Sequence, residues 1–368
     1  LVSSKARRIT LLQIGTEGLS EVRSRALFPE DPSESELTHV DVSADGSWAV
    51  ATRTLIEKNA AGETTACGGE LVFIDISDDA QFGALLAQIP VGPMPDAVAI
   101  SPDGKTVLSA NERDVVWGKC EQVAAIDPPS ISIVDVSEGP AQAKELKRVL
   151  MTGEDKREPE YVAFSAKGDL FAVTLQDSNE VALFRLSALL PLEAPTDANA
   201  EVIVKLPQNS IGQDAWPDGV ALVVDGEGKE HFVIAGEGND MFYLLDGSGA
   251  ITSAVEINAS DIPAAYPRDG SWGPLFRPDS VTAMRWEEQS YVAFSLKASG
   301  AVGIWNVTVP QSVTFVQTIK VGADEQATTE TESSVGTEGI AASSDFGFIV
   351  TANEAESSVS LVLPTVTR

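Results

Sequence analysis

Carboxylate side chains recur at one position of a repeated phrase, in which proline and an acid introduce a short apolar run. The clearest copies are Pro95-Asp96-Ala97-Val98 and Pro159-Glu160-Tyr161-Val162. The acid returns in weaker copies as Asp218, Asp279 and Glu338, at steps of about 60 residues. Self-similarity at a fixed period indicates a repeat architecture, so the same chemical group is expected at equivalent places of several structural units.

A second set of polar residues ends the second apolar run of each unit. In chain order these residues are Arg53, Glu112, Gln176, Glu237, Lys297 and Glu354. In an antiparallel sheet the start of the first strand and the end of the second strand lie on the same side. The two sets are therefore predicted to form two rings on one face, in which carboxylates predominate.

Rings of carboxylates suit a hard divalent cation such as Ca²⁺ or Mg²⁺. Like charges raise one another's pKa unless a cation or a hydrogen-bond donor lies between them. We therefore predict Ca²⁺ as a cofactor of this acidic face. The predicted ligands are Asp96, Glu112, Glu160, Asp218, Glu237, Asp279, Glu338 and Glu354. In the alternative interpretation the repeated acids accept backbone N–H bonds or pair with the next unit, and have a purely structural role.

The elements that must position these acids are short β-strands. Each unit contains four runs rich in Val, Ile, Phe and Ala, separated by turn residues such as Asp45-Gly46 and Asp103-Gly104. This pattern predicts an all-β fold, a β-propeller of four-stranded antiparallel blades around a channel. Six repeats are counted and seven are possible, with N- and C-terminal strands sharing a blade that closes the ring. The chain is predicted to be one domain over 1–368, with units near 38–94, 95–158, 159–216, 217–277, 278–336 and 337–364, and closing strands in 1–37.

A few aromatic and basic side chains could recognise a ligand at the channel mouth. His39 and Tyr161 occupy equivalent positions of their units, and an insertion before the fifth phrase carries Arg268, Trp272 and Arg277. Aromatic residues and arginines on loops favour recognition of a protein or a carbohydrate. In the alternative interpretation the insertion simply caps the channel.

Familiar catalytic patterns are not found in the sequence. Its two histidines, His39 and His231, are predicted on opposite faces, and no Gly-x-Ser-x-Gly, His-Glu-x-x-His or P-loop pattern occurs. A Ser-His-Asp triad is therefore disfavoured. Chemistry through a metal-bound water remains open.

Composition narrows the possible partners. A net charge of −30 argues against nucleic acid and against an anionic membrane surface. No apolar run is long enough for a membrane span. Cys67 and Cys120 fall at equivalent places of the first two units, so a disulfide is predicted as plausible, and it would fit an oxidising compartment. Two unrelated thiols remain the alternative.

The repeated phrases resemble known propellers. The run from Met94 to Glu112 is similar to the strand pair of YVTN-type, lactonase-like propellers. The runs 158–163 and 173–182, and Gly336-Thr337-Glu338-Gly339-Ile340, more narrowly resemble the choice-of-anchor I propellers, a group that includes mesenchyme-specific cell-surface glycoprotein. The resemblance covers roughly residues 38 to 364 and implies a secreted, cell-surface or periplasmic protein. The family usually has seven modules, whereas six are visible here.

Two functional hypotheses follow. In the first, the chain is a secreted or cell-surface propeller that acts as a binding or scaffold module with divalent cations on its acidic face. In the second, it is a metal-dependent hydrolase of the lactonase or phosphoesterase type, with carboxylates around the channel mouth as metal ligands.

Overall fold

The computed structural model describes residues 1–3, 6–15, 18–30, 35–113, 120, 123, 126–152, 157–266, 276–322, 336–343, 347–353 and 358–363. These residues form antiparallel sheets with very little helix. The chain divides into two compact units, Leu1–Val173 with Phe184–Glu201, and Thr174–Leu183 with Val202–Arg368.

The first unit contains a three-stranded sheet, β1-β2-β3, and two four-stranded sheets, β4-β5-β6-β7 and β8-β9-β10-β11. The strands are β1 (Val2–Ser3), β2 (Arg8–Gly15), β3 (Gly18–Ala26), β4 (Glu36–Val42), β5 (Trp48–Lys58), β6 (Thr64–Asp75), β7 (Ala84–Val91), β8 (Pro95–Ile100), β9 (Thr106–Asn111), β10 (Ser130–Asp135) and β11 (Lys144–Leu150). The division between the units passes through the next sheet, which consists of β12 (Pro159–Phe164), β13 (Leu170–Leu175), β14 (Glu180–Arg185) and β15 (Val202–Lys205).

The second unit contains two four-stranded sheets, β16-β17-β18-β19 and β20-β21-β22-β23, and the three-stranded sheet β24-β25-β26. The strands are β16 (Pro217–Val224), β17 (Glu230–Gly236), β18 (Met241–Asp246), β19 (Ile251–Glu256), β20 (Pro278–Trp286), β21 (Gln289–Leu296), β22 (Ala301–Asn306), β23 (Thr314–Lys320), β24 (Thr337–Ala342), β25 (Ile349–Asn353) and β26 (Ser358–Val362).

Helical segments are short. They are α1 (Leu186–Leu189) and the 3₁₀ turns Pro140–Gln142, Asp197–Asn199, Lys297–Ser299 and Pro310–Ser312. No helix in the described part of the chain combines the length and the apolar character that crossing a bilayer requires.

The predicted fold class is confirmed. All six predicted inner strands are present, and they are β4, β8, β12, β16, β20 and β24. Each of them opens its own antiparallel sheet, as in a six-bladed β-propeller. The termini differ from expectation in one respect. In the described residues each end forms its own three-stranded sheet, because β2 and β3 pair with each other as a hairpin and β24 to β26 pair in sequence.

The Asp-Gly turns connect the first and second strands of two blades. Gly46 and Gly104 have φ angles of 69° and 68°, which glycine adopts without a steric penalty. The preceding acid reinforces each turn, since Asp45 Oδ1 accepts the Ser43 hydroxyl at 2.7 Å and Asp103 Oδ1 accepts the Ser101 hydroxyl at 2.7 Å. These short connections fix the pairing of each inner strand with its neighbour.

Successive side chains of each strand point to opposite faces of its sheet, and large apolar side chains are buried between neighbouring sheets. In the second unit Phe242, Phe294 and Trp305 form a fully buried aromatic cluster with ring centroids 4.8 to 5.6 Å apart. In the first unit Trp48 and Phe73 pack at 5.8 Å. Truncation of one such ring to alanine typically costs about 3–5 kcal/mol of stability, so these clusters hold the frame on which the polar residues sit.

Cys67 and Cys120 form a disulfide in the first unit, with Cα atoms 6.0 Å apart. Cys67 lies on β6, in the long hairpin that β5 and β6 form, and Cys120 lies in the segment between β9 and β10. The bond joins positions 53 residues apart in the chain. It therefore ties an extended hairpin to the connection within the following blade.

We predict that replacing both cysteines, as Cys67→Ser with Cys120→Ser, lowers the free energy of unfolding by about 2–4 kcal/mol, because the open chain gains conformational entropy when unfolded. Urea unfolding of wild type and the double variant, without reductant, measures this difference. With dithiothreitol present the two proteins should unfold at the same urea concentration. An unchanged midpoint without reductant would contradict the prediction.

Candidate functional site

The register of the strands in the second unit places acids from different sequence repeats close together. Pro217 pairs with Gly236, Pro278 with Leu296, and a register irregularity follows each proline. Such bulges bend the strand and re-aim the side chain at the extra position. The acids after the two prolines are thereby placed beside the residues that end the second strands.

Three carboxylates converge at this place. Asp218, Glu237 and Asp279 each present an oxygen, and the three oxygens lie within 4.8 Å of one another. Glu237 and Asp279 are buried, whereas Asp218 is half-buried. In the described part of the chain this is the group of acids whose spacing could hold a metal ion.

Lys297 lies among these carboxylates. Its Nζ is 3.1 Å from Asp279 Oδ2, 2.9 Å from Glu338 Oε1 and 3.6 Å from Glu237 Oε1. Only 14% of the lysine side chain is exposed, so the ammonium is largely removed from water. A buried charge of this kind is tolerated only when opposite charges surround it. Lys297 is therefore a built-in counter-cation of the cluster.

Glu237 has two further partners. The Arg277 guanidinium donates from Nε to Glu237 Oε1 at 3.1 Å and from a terminal nitrogen to the same oxygen. The Gln176 side-chain amide donates to Glu237 Oε2 at 3.4 Å. Both oxygens of Glu237 are thus held in place, and the carboxylate is a fixed part of the site.

Burial and neighbouring charges shift the pKa values of the two buried acids, Asp279 and Glu237, in opposite directions. Burial raises the pKa of the Asp279 carboxyl to about 7, and repulsion from Glu338 and Glu237 adds to this rise against the attraction of Lys297. Burial alone would raise the pKa of Glu237, but Lys297 and Arg277 hold it below its ordinary value. Burial disfavours the Lys297 ammonium, yet the three carboxylates raise its pKa well above normal. Of Asp279, Glu237 and Lys297, it is therefore Asp279 whose pKa lies near neutral pH.

The loops after the second strands orient the residues that precede each phrase. Arg277 has a φ of 54°, and the N–H groups of Phe276 and Arg277 donate to Asp240 Oδ1 at 2.9 Å. Trp216 has a φ of 43°, and its N–H donates to Asn179 Oδ1 at 2.8 Å. A positive φ is unfavourable for such residues and persists where the surroundings enforce it. Asp240 and Asn179 therefore act as backbone caps that aim the Arg277 and Trp216 side chains.

In the first unit two of the predicted ligand-binding residues, His39 and Tyr161, contact each other. His39 Nε2 lies 2.5 Å from Tyr161 Oη, and the N–H of Val98 donates to His39 Nδ1 at 3.4 Å. The hydrogen of His39 is therefore on Nε2, directed at the tyrosine. Burial lowers the pKa of His39 to about 4, which keeps the imidazole neutral at pH 7. His39 and Tyr161 thus form a hydrogen-bonded pair between β4 and β12.

Three further predicted ligands belong to the first unit. Asp96 and Glu112 are half-buried and Glu160 is buried, all in the first unit. Arg268, Trp272 and Glu354 lie outside the described residues.

Lys297 and Gln176 stand at the ends of second strands, as the sequence predicts, but their role as partners of the acids could not be predicted from it. The sequence signal for both residues was the lack of a carboxylate at a position where other units carry Glu112, Glu237 and Glu354. Trp216 was missed as a site residue. Its position immediately before the Pro217-Asp218 phrase was the available signal.

The fold and this cluster define a β-propeller with a mixed-charge site formed by neighbouring blades. Residues 5–154 match the choice-of-anchor I domain family, which confirms the inferred resemblance over this part of the chain. No curated protein matches the chain.

Solved structures share the fold at low sequence identity. A periplasmic gluconolactonase of Pseudomonas aeruginosa is 13% identical with a TM-score of 0.62, covering 98% of this chain and 93% of its own. A Lactobacillus plantarum protein is 16% identical with a TM-score of 0.62, covering 97% and 88%. A proposed 6-phosphogluconolactonase of Bacteroides uniformis is 13% identical with a TM-score of 0.60, covering 94% and 84%. At this identity the likeness shows the architecture alone.

We predict that Lys297→Met lowers the free energy of unfolding by about 3 kcal/mol at pH 8, because three carboxylates lose their shared counter-cation. The loss should be smaller at pH 5, since the pKa of Asp279 is already raised and protonation then relieves the repulsion. Urea unfolding at the two pH values measures both effects. Lys229→Met, on an exposed turn, is the matched control and should change stability little. An equal loss at pH 5 and pH 8 would show that charge pairing is not the reason.

Proposed function

We propose that this protein is an extracellular or periplasmic binding or scaffold propeller, whose ligand site is the cluster around Glu237. The observation that carries the proposal is the convergence of Asp218, Glu237 and Asp279, with ligand oxygens within 4.8 Å. The match to the choice-of-anchor I family, the periplasmic gluconolactonase of the same fold and the Cys67–Cys120 disulfide support the compartment.

The excess of negative charge supports a divalent cation in this site. Four carboxylates, Asp218, Glu237, Asp279 and Glu338, face the two cations Lys297 and Arg277. Carboxylate oxygens suit Ca²⁺, which takes six to eight oxygen ligands, so water and backbone oxygens would complete its coordination. Lys297 competes for two of the same carboxylates. The affinity is therefore expected in the weak range of extracellular calcium modules, about 0.1–1 mM.

We predict that Ca²⁺ raises the melting temperature of the chelator-treated protein and that the Asp218→Asn variant weakens binding at least about tenfold. Lys297→Gln should bind Ca²⁺ more tightly than wild type, because it removes the competing ammonium without introducing another charge. Isothermal titration with CaCl₂ measures all three affinities.

The matched control for this titration is Glu227→Gln, an acid on an exposed turn of the same unit, which should leave Ca²⁺ binding unchanged. Absence of any thermal shift or binding heat in wild type up to about 10 mM Ca²⁺, well above the expected range, would remove the metal from the proposal.

A hydrolase is the second candidate, and one observation favours it. The Asp279 carboxyl has a pKa of about 7 and is buried beside Lys297, which suits general acid–base chemistry near neutral pH. Two of the solved structures named above carry lactonase names. The binding role is better supported, because Lys297 and its carboxylate partners satisfy one another without a substrate.

If the protein is such a hydrolase, wild type supplied with Ca²⁺ should turn over members of a panel of sugar lactones and phosphoesters. Asp279→Asn should then abolish turnover, because the amide cannot exchange the proton. Steady-state assays measure this at pH 6 to 8. Failure of wild type on the whole panel would leave the binding role alone.

A further inference from the structure

Trp216 presents a large exposed aromatic surface in the segment that leads into the Pro217-Asp218 phrase. Its side chain is 43% exposed, and it lies two residues before Asp218 in the chain. The base of the indole rests on Gly238, the residue after Glu237, because a Cβ atom at Gly238 would lie 2.8 Å from Trp216 Cγ. The ring therefore packs against the backbone that directly follows Glu237, one of the three converging acids.

The indole is held where it is by the backbone. The N–H of Trp216 donates to Asn179 Oδ1 at 2.8 Å, and the N–H of Gly238 donates to the Ala215 carbonyl at 2.8 Å. These bonds fix the chain on both sides of the ring in an otherwise unfavourable conformation, with a φ of 43° at Trp216. An aromatic platform that is positioned before binding loses little conformational entropy when a ligand stacks on it.

The excess of negative charge in this part of the protein favours a cation as the group that stacks on the indole. Asp218, Glu237, Asp279 and Glu338 outnumber Lys297 and Arg277, and the whole chain carries a net charge of −30. An exposed indole attracts a cation over its face, and a guanidinium can stack there while it donates to a carboxylate at its edge. Anionic ligands are repelled by the same field.

The first unit contains the same combination of an aromatic ring and a carboxylate around one of its own arginines. The Arg53 guanidinium lies 3.7 Å from the centroid of the Phe28 ring and donates to Glu70 Oε2 at 2.9 Å. An aromatic ring and a carboxylate together hold an arginine there. In the second unit an exposed ring, Trp216, and a half-buried carboxylate, Asp218, stand two residues apart in the chain.

We infer that Trp216 and Asp218 form a docking site for an arginine-bearing basic segment of a partner protein. The guanidinium stacks on the exposed indole face and donates to the Asp218 carboxylate. The inference rests on the proposed function in that the cluster is a ligand site, but it does not require a bound divalent cation.

The experiment uses a fluorescein-labelled peptide of alternating arginine and glycine, its lysine analogue and a neutral glucose oligosaccharide, each titrated into the full chain in EDTA. Wild type should bind the arginine peptide more tightly than the lysine peptide, since guanidinium stacks on aromatic rings more readily. Trp216→Ala should weaken arginine-peptide binding about tenfold, while Trp216→Phe retains part of the affinity. Asp218→Asn should weaken it as well.

Two controls separate this site from general attraction to an acidic protein. Ile211→Ala, at a residue 76% exposed on the same loop, and Glu227→Gln should leave the affinity unchanged. Thermal melting of each variant verifies that it is folded. Equal affinity of wild type and Trp216→Ala would overturn the inference, and so would tight binding of the neutral oligosaccharide that Trp216→Ala abolishes. Peptide binding without any calcium response would support the inference while removing the metal from the proposed function.

Discussion

The register between the first and second strand of a blade determines where the chemistry of this protein lies. The inner strand begins opposite the end of its neighbour, and an irregularity follows at once, after Pro95, Pro217 and Pro278 alike. The repeated acid is the residue next to that proline, so its side chain leaves the regular alternation of the strand. The mixed-charge cluster of the second unit depends on this arrangement.

Much of the fold could be predicted from the sequence because the signals are local. The Asp45-Gly46 and Asp103-Gly104 turns require a positive φ that glycine supplies, and the flanking runs alternate with period two. These features act within a few residues, so they identify the six inner strands without any tertiary information. The pairing at the termini could not be read in this way, because it depends on which distant strands meet.

The sequence predicts which strand ends carry the candidate site, but not which charged side chains surround each acid there. The spacing of Asp218 and Asp279 indicated a shared face, whereas the central place of the Lys297 ammonium depends on distances between side chains of separate repeats. Protonation is equally non-local, since Asp279 and Glu237 are both buried acids and yet their pKa values move in opposite directions. Glu237 has the additional cation Arg277 beside it, which lowers its pKa, whereas neighbouring carboxylates raise the pKa of Asp279.

The polar residue that ends the second strand differs from blade to blade on a backbone that stays the same. It is Glu237 in one blade and Lys297 in the next, although both follow strands paired in the same manner. Since turns and buried apolar side chains carry the fold, a substitution at this position changes charge without disturbing strand pairing. Related propellers can therefore diverge in what they recognise through a handful of such positions, while selection on folding leaves them largely free to vary.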